Sequence, residues 1–269
     1  MPVRVVVLGG TGRLGRRVVD RLRRDDRAVA RAVSRRAVEA PGANGVEHVV
    51  ADVERGIGLT EALAGADAVI HLTHSGADAT RRLLAVARDA GVSRVTYVSI
   101  IGADRIPLPY YAMKVEAERA VREVGIPATV VRAAQFHSFI DDYLATLAGL
   151  PLPGLFPAAA RFQSVDEREV ADHVVGVTLD ASPAGSTEVA GPELLTLGEM
   201  ARQWFAARSM PRRAVPGTPA PDGAYVPEPW AVGTTDGFVR GLNTPAGAHE
   251  RGSVTWADYL RERYAPAAG

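Results

Sequence analysis

The chain has 269 residues, 47% apolar and 23% charged, values that suit one large or two small globular domains. Its formal net charge is +0, which gives no reason to expect nucleic acid or an acidic membrane surface as a partner. Cysteine is absent, so disulfides, thiolate metal sites and a cysteine nucleophile are excluded, and a reducing cytoplasm is the expected location.

The elements follow in chain order. Val3 to Leu8 reads as a buried strand, with no separate apolar stretch and cleavage site before it, so no signal peptide is expected. No apolar run reaches the length of a membrane span. Leu14 to Arg24 reads as a helix, Ala28 to Val33 as a second strand and Glu47 to Ala51 as a third. Leu59 to Ala64 is a short helix, Ala68 to Leu72 a fourth strand, and Asp78 to Ala90 a helix. Val95 to Ser99 is a fifth strand, Tyr110 to Val124 a helix ended by Gly125, and Ala128 to Arg132 a sixth strand. Strands alternating with helices predict an α/β fold with a doubly wound parallel sheet.

After Ala133 the rhythm breaks. Phe136 to Leu147 reads as a helix, followed by a Pro/Gly-rich loop from Gly149 to Pro157. A helix lies within Asp166 to Leu179, and Glu188 to Ala190 is a short strand. Leu197 to Ala207 is a helix that Thr196 caps, with Glu199 as its capping-box partner. From Pro211 to Gly252 little is placed beyond a short helix near Asp236 to Leu242, and Pro216 to Pro229 reads as a mobile segment or a lid. Trp256 to Tyr264 is a terminal helix.

The first strand runs into Gly-Gly-Thr-Gly-Arg-Leu-Gly, residues 9 to 15, and a helix follows at once. Strand, glycines and helix in that order make a phosphate loop: the turn is tight, the backbone can approach a pyrophosphate, and the helix end offers free N–H groups. Gly9, Thr11, Gly12, Arg13, Leu14 and Gly15 are the expected contacts. At the end of the second strand, an acidic residue would bind a ribose hydroxyl. This chain has Ser34, Arg35 and Arg36 there, which can donate to a 2′-phosphate and point to NADP(H). The two arginines could equally be solvated surface charge. Asp52 and Val53 are placed to meet the adenine or to form a simple turn. Leu72 and Thr73, at the end of the fourth strand, are expected beside the cofactor.

Lysine and arginine total 31, yet Lys114 is the only lysine. A position that keeps lysine against such a bias needs a compact ammonium, not a planar guanidinium. Tyr110 lies four residues earlier, on the same face of a helix. An ammonium beside a phenol lowers the tyrosine pKa, which would tune Tyr110 as the proton donor of a carbonyl reduction.

The six histidines show no zinc spacing with Asp or Glu, so no metal is expected. No Gly-x-Ser-x-Gly elbow appears, which disfavours a hydrolase. His71 reads as structural, whereas His74 is placed for the nicotinamide side or the substrate. Tyr111, Gln135, Phe136 and His137 are further substrate candidates, with Phe136 and Phe139 alternatively in the core and His137 alternatively a helix cap.

Three stretches together resemble the short-chain dehydrogenase/reductase superfamily, in its atypical NmrA-like branch of actinobacterial type: residues 9 to 15, Tyr97 to Asp104 followed by Tyr110 and Lys114, and Val131 to His137. The ending from Thr255 to Leu260 adds to the likeness. The resemblance implies a Rossmann-like core over residues 1–150, with a return strand and helix near 164–191, and a mainly substrate-binding region over 151–269. It implies an NADPH-dependent oxidoreductase acting on a carbonyl or enone of a small, secondary-metabolite-like molecule, as a monomer or homodimer. Tyr110 would be the general acid, Lys114 would hold the nicotinamide ribose and tune Tyr110, and the superfamily's serine would fall at Ser99, or that position would fall at Ile100 and the serine role would be missing or supplied by another group. Phe136 to Leu147 and the segment around Trp230 would close the pocket. Two rivals share the fold: a dinucleotide-sensing regulatory protein, and a non-redox cyclase or isomerase.

Overall fold

The structure is a computed structural model, and it describes residues 1–37, 46–148, 157–180, 185–208 and 234–265. The segment expected as a lid, Trp230 and part of the Pro/Gly-rich loop lie outside the described residues.

The chain runs β1 (Val3–Leu8), α1 (Arg13–Leu22), β2 (Ala28–Ser34), β3 (Glu47–Val50), α2 (Leu59–Leu63), β4 (Ala68–His71), α3 (Ala77–Asp89), β5 (Arg94–Ile100), α4 (Pro109–Glu123) and β6 (Ala128–Ala133). It continues through α5 (His137–Ala148), β7 (Arg161–Phe162), α6 (Glu167–Leu179), β8 (Gly185–Ala190), β9 (Leu195–Thr196), α7 (Leu197–Ala207), α8 (Thr234–Val239), β10 (Glu250–Arg251) and α9 (Trp256–Tyr264). Eight strands form one sheet in the order β10-β8-β6-β5-β4-β1-β2-β3, and β7 and β9 form a two-stranded antiparallel ladder. β1 pairs in parallel with β2 on one side and with β4 on the other. The strand order therefore reverses at β1, which creates a switch point where β1 and β4 end side by side. Ligands of open α/β sheets bind at such a point.

The α/β expectation is borne out, because strands buried on both faces read as continuous apolar runs. Val5, Val6, Val7 and Leu8 of β1 are all fully buried. Expected and observed ends differ by up to three residues, the largest differences being at the start of β8 and the end of α8. The sequence reading missed β7, β9 and β10, each only two residues long, since such ladders depend on distant partners.

The chain divides into two units that interleave in sequence. The first comprises Met1–Ser99, Pro109–Arg132 and Glu167–Thr187, the second Ile100–Leu108, Ala133–Asp166 and Glu188–Gly269. In the first, a core that includes Leu8, Val33, Leu63, Leu83, Leu84 and Val121 packs α2, α3 and α4 against the sheet, while α1 pairs with α6. In the second, Ile140, Leu144, Trp204, Trp256 and Leu260 form a core among α5, α7 and α9. Thr196 caps α7 in a capping box with Glu199, as expected, and Thr255 does the same for α9 with Asp258.

Candidate functional site

The turn after β1 tolerates almost no side chain. Gly9 has φ +84°, a left-handed conformation that suits glycine. A Cβ on Gly10 would stand 2.9 Å from the Ala32 side chain, and one on Gly15 would stand 2.0 Å from the Gly9 carbonyl oxygen. The backbone closes through Gly12 N–H to the Gly9 carbonyl at 2.9 Å. Gly12 caps α1 with no side-chain hydrogen bond, and no acidic residue stands in the first turn. The first N–H groups and the positive dipole end of α1 thus remain available to an anion. The loop after β4 lies against this turn: a Cβ on Gly9 would meet Thr73 at 3.4 Å and Leu72 at 3.6 Å.

At the end of β2, the Ser34 hydroxyl donates to the Arg36 carbonyl at 2.7 Å. Arg35 and Arg36 are exposed and carry no ion pair among the described residues. They present two guanidinium groups next to the glycine turn's strand. Asp52 exchanges backbone hydrogen bonds with Ile57, and its carboxylate accepts from Arg55 N–H at 3.1 Å. Val53 is buried. Asp52 and Val53 therefore form the simple turn that was one of their two readings.

Tyr110 and Lys114 lie one turn apart on α4. Lys114 is 5% exposed, and its ammonium donates to the Val98 carbonyl at 3.0 Å. It stands 4.8 Å from the centroid of the Tyr97 ring and 6.0 Å from that of Tyr110. Burial brings its pKa down to about 8, against the opposing pull of Glu118. Burial pushes Tyr110 up to about 12. This corrects the expectation of a lowered tyrosine: the ammonium is turned to a backbone carbonyl, and desolvation of the phenol wins. Tyr110 therefore holds its proton at neutral pH. Its hydroxyl meets Nδ1 of His74 at 2.8 Å. His74 is exposed, and burial together with the charge of Lys114 lowers its pKa, so its neutral form is favoured.

Ser99 makes no hydrogen bond to Tyr110 among the described residues. It is 4% exposed and donates to Glu118 at 2.5 Å. Glu118 also accepts from Arg132 at 2.8 and 3.0 Å and from Arg122 at 2.9 Å. Burial works against its charge, but Arg132, Ser99 and Arg122 outweigh that and hold the carboxyl below its usual range. The serine belongs to a buried ion-pair cluster that sequence spacing did not reveal.

His71 is fully buried, as the structural reading required, and burial brings its pKa down to about 3. Thr73, Ser75 and Thr80 hydroxyls surround its ring nitrogens at 3.3 to 3.4 Å. Beside it, the Tyr97 hydroxyl is buried without a hydrogen-bond partner among the described residues.

The remaining substrate candidates divide sharply. Tyr111 and Gln135 are buried, and Gln135 accepts from Asn243 at 3.2 Å. His137 is 1% exposed, with Nδ1 on the Ser164 hydroxyl at 2.9 Å and Nε2 on the Val254 carbonyl at 3.1 Å. Both its nitrogens are taken inside the second unit, so it is a packing residue there. Phe136 is half-buried and Phe139 is exposed. Of the substrate set, His74 and Phe136 keep accessible surface.

Comparison with known proteins fits this geometry. The model of a family described as NAD(P)H-binding matches residues 9–177. The chain is similar to quinone oxidoreductase 2 of Escherichia coli K12, with 27% identity over 210 residues, 74% of this chain and 72% of that one. It is also similar to (4-alkanoyl-5-oxo-2,5-dihydrofuran-3-yl)methyl phosphate reductase of Streptomyces griseus, with 29% identity over 218 residues, 78% of this chain and 75% of that one. Among solved structures, an NADPH-dependent quinone oxidoreductase of Escherichia coli superposes with a TM-score of 0.72 at 23% identity, covering 97% of this chain and 99% of that one. A nucleoside-diphosphate-sugar epimerase of Staphylococcus aureus superposes with a TM-score of 0.74 at 17% identity, covering 96% and 100%. These two structures share the fold.

Proposed function

Because the chain belongs to the NAD(P)H-binding family, we propose that it is an NADPH-dependent reductase that acts on a carbonyl conjugated to a carbon–carbon double bond. The observation that carries this reading is the Tyr110 hydroxyl. It is protonated, hydrogen-bonded to His74 at 2.8 Å and one helical turn from Lys114. That is an acid ready to protonate an oxygen on which charge develops.

The glycine turn from Gly9 to Gly15 binds the pyrophosphate, using backbone N–H groups at the start of α1. Arg35 and Arg36 pair with the 2′-phosphate and set the preference for NADPH over NADH. Leu72 and Thr73 line the cofactor where their loop meets Gly9. Bound NADPH supplies the hydride. Lys114 holds the ribose with the donors that its bond to Val98 leaves, and its positive charge, 6.0 Å from the Tyr110 ring, favours the phenolate at the moment the proton leaves. Ser99 has no part in the chemistry. The substrates named for the two relatives, a quinone and an alkanoyl-oxo-dihydrofuran, both present a conjugated carbonyl, which supports that acceptor class.

Titration calorimetry with NADPH and NADH, followed by NADPH oxidation with 1,4-naphthoquinone, tests the reading. Tight NADPH binding, weak NADH binding and one NADPH consumed per quinone are expected. Binding without consumption of NADPH by any conjugated carbonyl would turn the protein into a sensor or a non-redox catalyst.

A further inference from the structure

A tyrosine that gives its proton away must be reloaded before the next turnover. Tyr110 is 39% exposed, but its hydroxyl is engaged by a side chain, so the group that reloads it is sought among its near neighbours. Ser99 is excluded, because its hydroxyl is spent on Glu118. The ammonium of Lys114 is fixed on the Val98 carbonyl inside the protein. His71 is sealed among hydroxyls, and the Tyr97 hydroxyl has no partner among the described residues.

His74 differs from all of these. Its Nδ1 is 2.8 Å from the Tyr110 oxygen, with ring centroids 5.5 Å apart. The residue is exposed, and its ring makes no other hydrogen bond among the described residues. A neutral imidazole donates at one nitrogen and accepts at the other, so it can take up a proton on one side and release one on the other. The charged or titratable groups facing it are Tyr110 and Lys114, both on α4.

We infer that His74 is the relay that returns the proton to Tyr110 from solvent. The inference rests on the reductase reading above. The electron pair is the hydride that the reduced dinucleotide supplies. As the carbonyl π pair moves onto oxygen, that oxygen takes the Tyr110 proton. The phenolate takes the proton on Nδ1 of His74, and Nε2 takes one from water. One hydride and one solvent proton are consumed per turnover. His74 acts through Tyr110 and is a positioning residue in this step, not a substrate ligand.

The test compares the wild type with His74→Ala and His74→Asn, following NADPH oxidation by 1,4-naphthoquinone and 2-cyclohexenone, with and without added imidazole. His74→Ala should lose on the order of 10²-fold in kcat, with NADPH affinity kept. Added imidazole should restore much of that rate. Asparagine still hydrogen-bonds the phenol but passes no proton, so His74→Asn should be as slow, and imidazole should not help it. A His74→Asn variant at the wild-type rate overturns the relay, whether or not the alanine variant folds, because hydrogen bonding alone would then suffice. A slow His74→Ala variant that binds NADPH but ignores imidazole overturns it too. If the wild type oxidises no NADPH with either acceptor, the reductase reading fails and the relay with it. An active wild type beside an equally active His74→Ala variant removes the relay alone.

Discussion

Two polar clusters carry tyrosines, one in each unit, and they are built in opposite ways. In the second unit, Asp141 on α5 accepts from Trp204 at 2.6 Å, Tyr264 at 2.5 Å and Tyr259 at 2.9 Å, with Arg263 at 3.7 Å. The donors come from α7 and α9, so one carboxylate ties three helices together. In the first unit, among the described residues, Tyr97 has no partner, Lys114 has one carbonyl, and Tyr110 has one exposed histidine. Polar groups buried with every bond made add rigidity, whereas groups left short of partners have capacity for a ligand. α4 shows both designs: Lys114 is thinly compensated, while Glu118, one turn on, is held by two arginines and a serine.

The largest expected effect falls on the under-partnered cluster. Tyr110→Phe should cost on the order of 10²–10⁴ in turnover while NADPH binding is kept. A phenylalanine variant that turns over normally would remove Tyr110 from the chemistry. The closed cluster should answer in stability. Asp141→Ala strands the indole N–H of Trp204 and the hydroxyls of Tyr259 and Tyr264, and should cost about 3–5 kcal/mol in chemical denaturation. A loss well under 1 kcal/mol would mean that the cluster is not the tie described here.

Lys114 should show the two properties moving apart with pH. Its pKa in the folded protein is about 8, below the ordinary 10.5, so the unfolded chain binds more protons between those values. Its contribution to stability therefore rises with pH across that window. Turnover should fall as pH rises through about 8, because the ammonium that favours the phenolate is lost. A pH profile of kcat alongside thermal denaturation reads both trends. In Lys114→Met the stability trend from this residue should vanish, and Lys114→Arg should be impaired despite keeping the charge. The smallest effect belongs to Ser99→Ala. It removes one of several donors to Glu118 and should cost roughly 1 kcal/mol, with turnover within about twofold of wild type. A loss of turnover comparable to Tyr110→Phe would return the serine to the active site.

Much of the fold was legible because its rules are local. Continuous apolar runs marked the central strands, glycines that cannot carry a Cβ marked the first turn, and Thr196 with Glu199 marked a helix start. The pairing of Tyr110 with Lys114 on one helix face was equally readable. Where the ammonium points was not, since Val98 lies 16 residues away in another element. Distance in sequence also hid the bond from Ser99 to Glu118, 19 residues apart, and the enclosure of His137 by Ser164 and Val254, 27 and 117 residues away. A histidine at a strand end looks identical in sequence whether it turns outward, as His74 does, or inward.

The two outer strands of the sheet bear on how the protein behaves at high concentration. A sheet edge is a row of unpaired backbone groups on which another chain can add a strand. Here one edge is β10, only Glu250–Arg251, both exposed and oppositely charged, and the other is β3, four residues that begin with exposed Glu47. Short, charged borders offer little template for edge-to-edge growth. The molecule should therefore resist strand-mediated aggregation despite the apolar run Val5 to Leu8 inside its sheet.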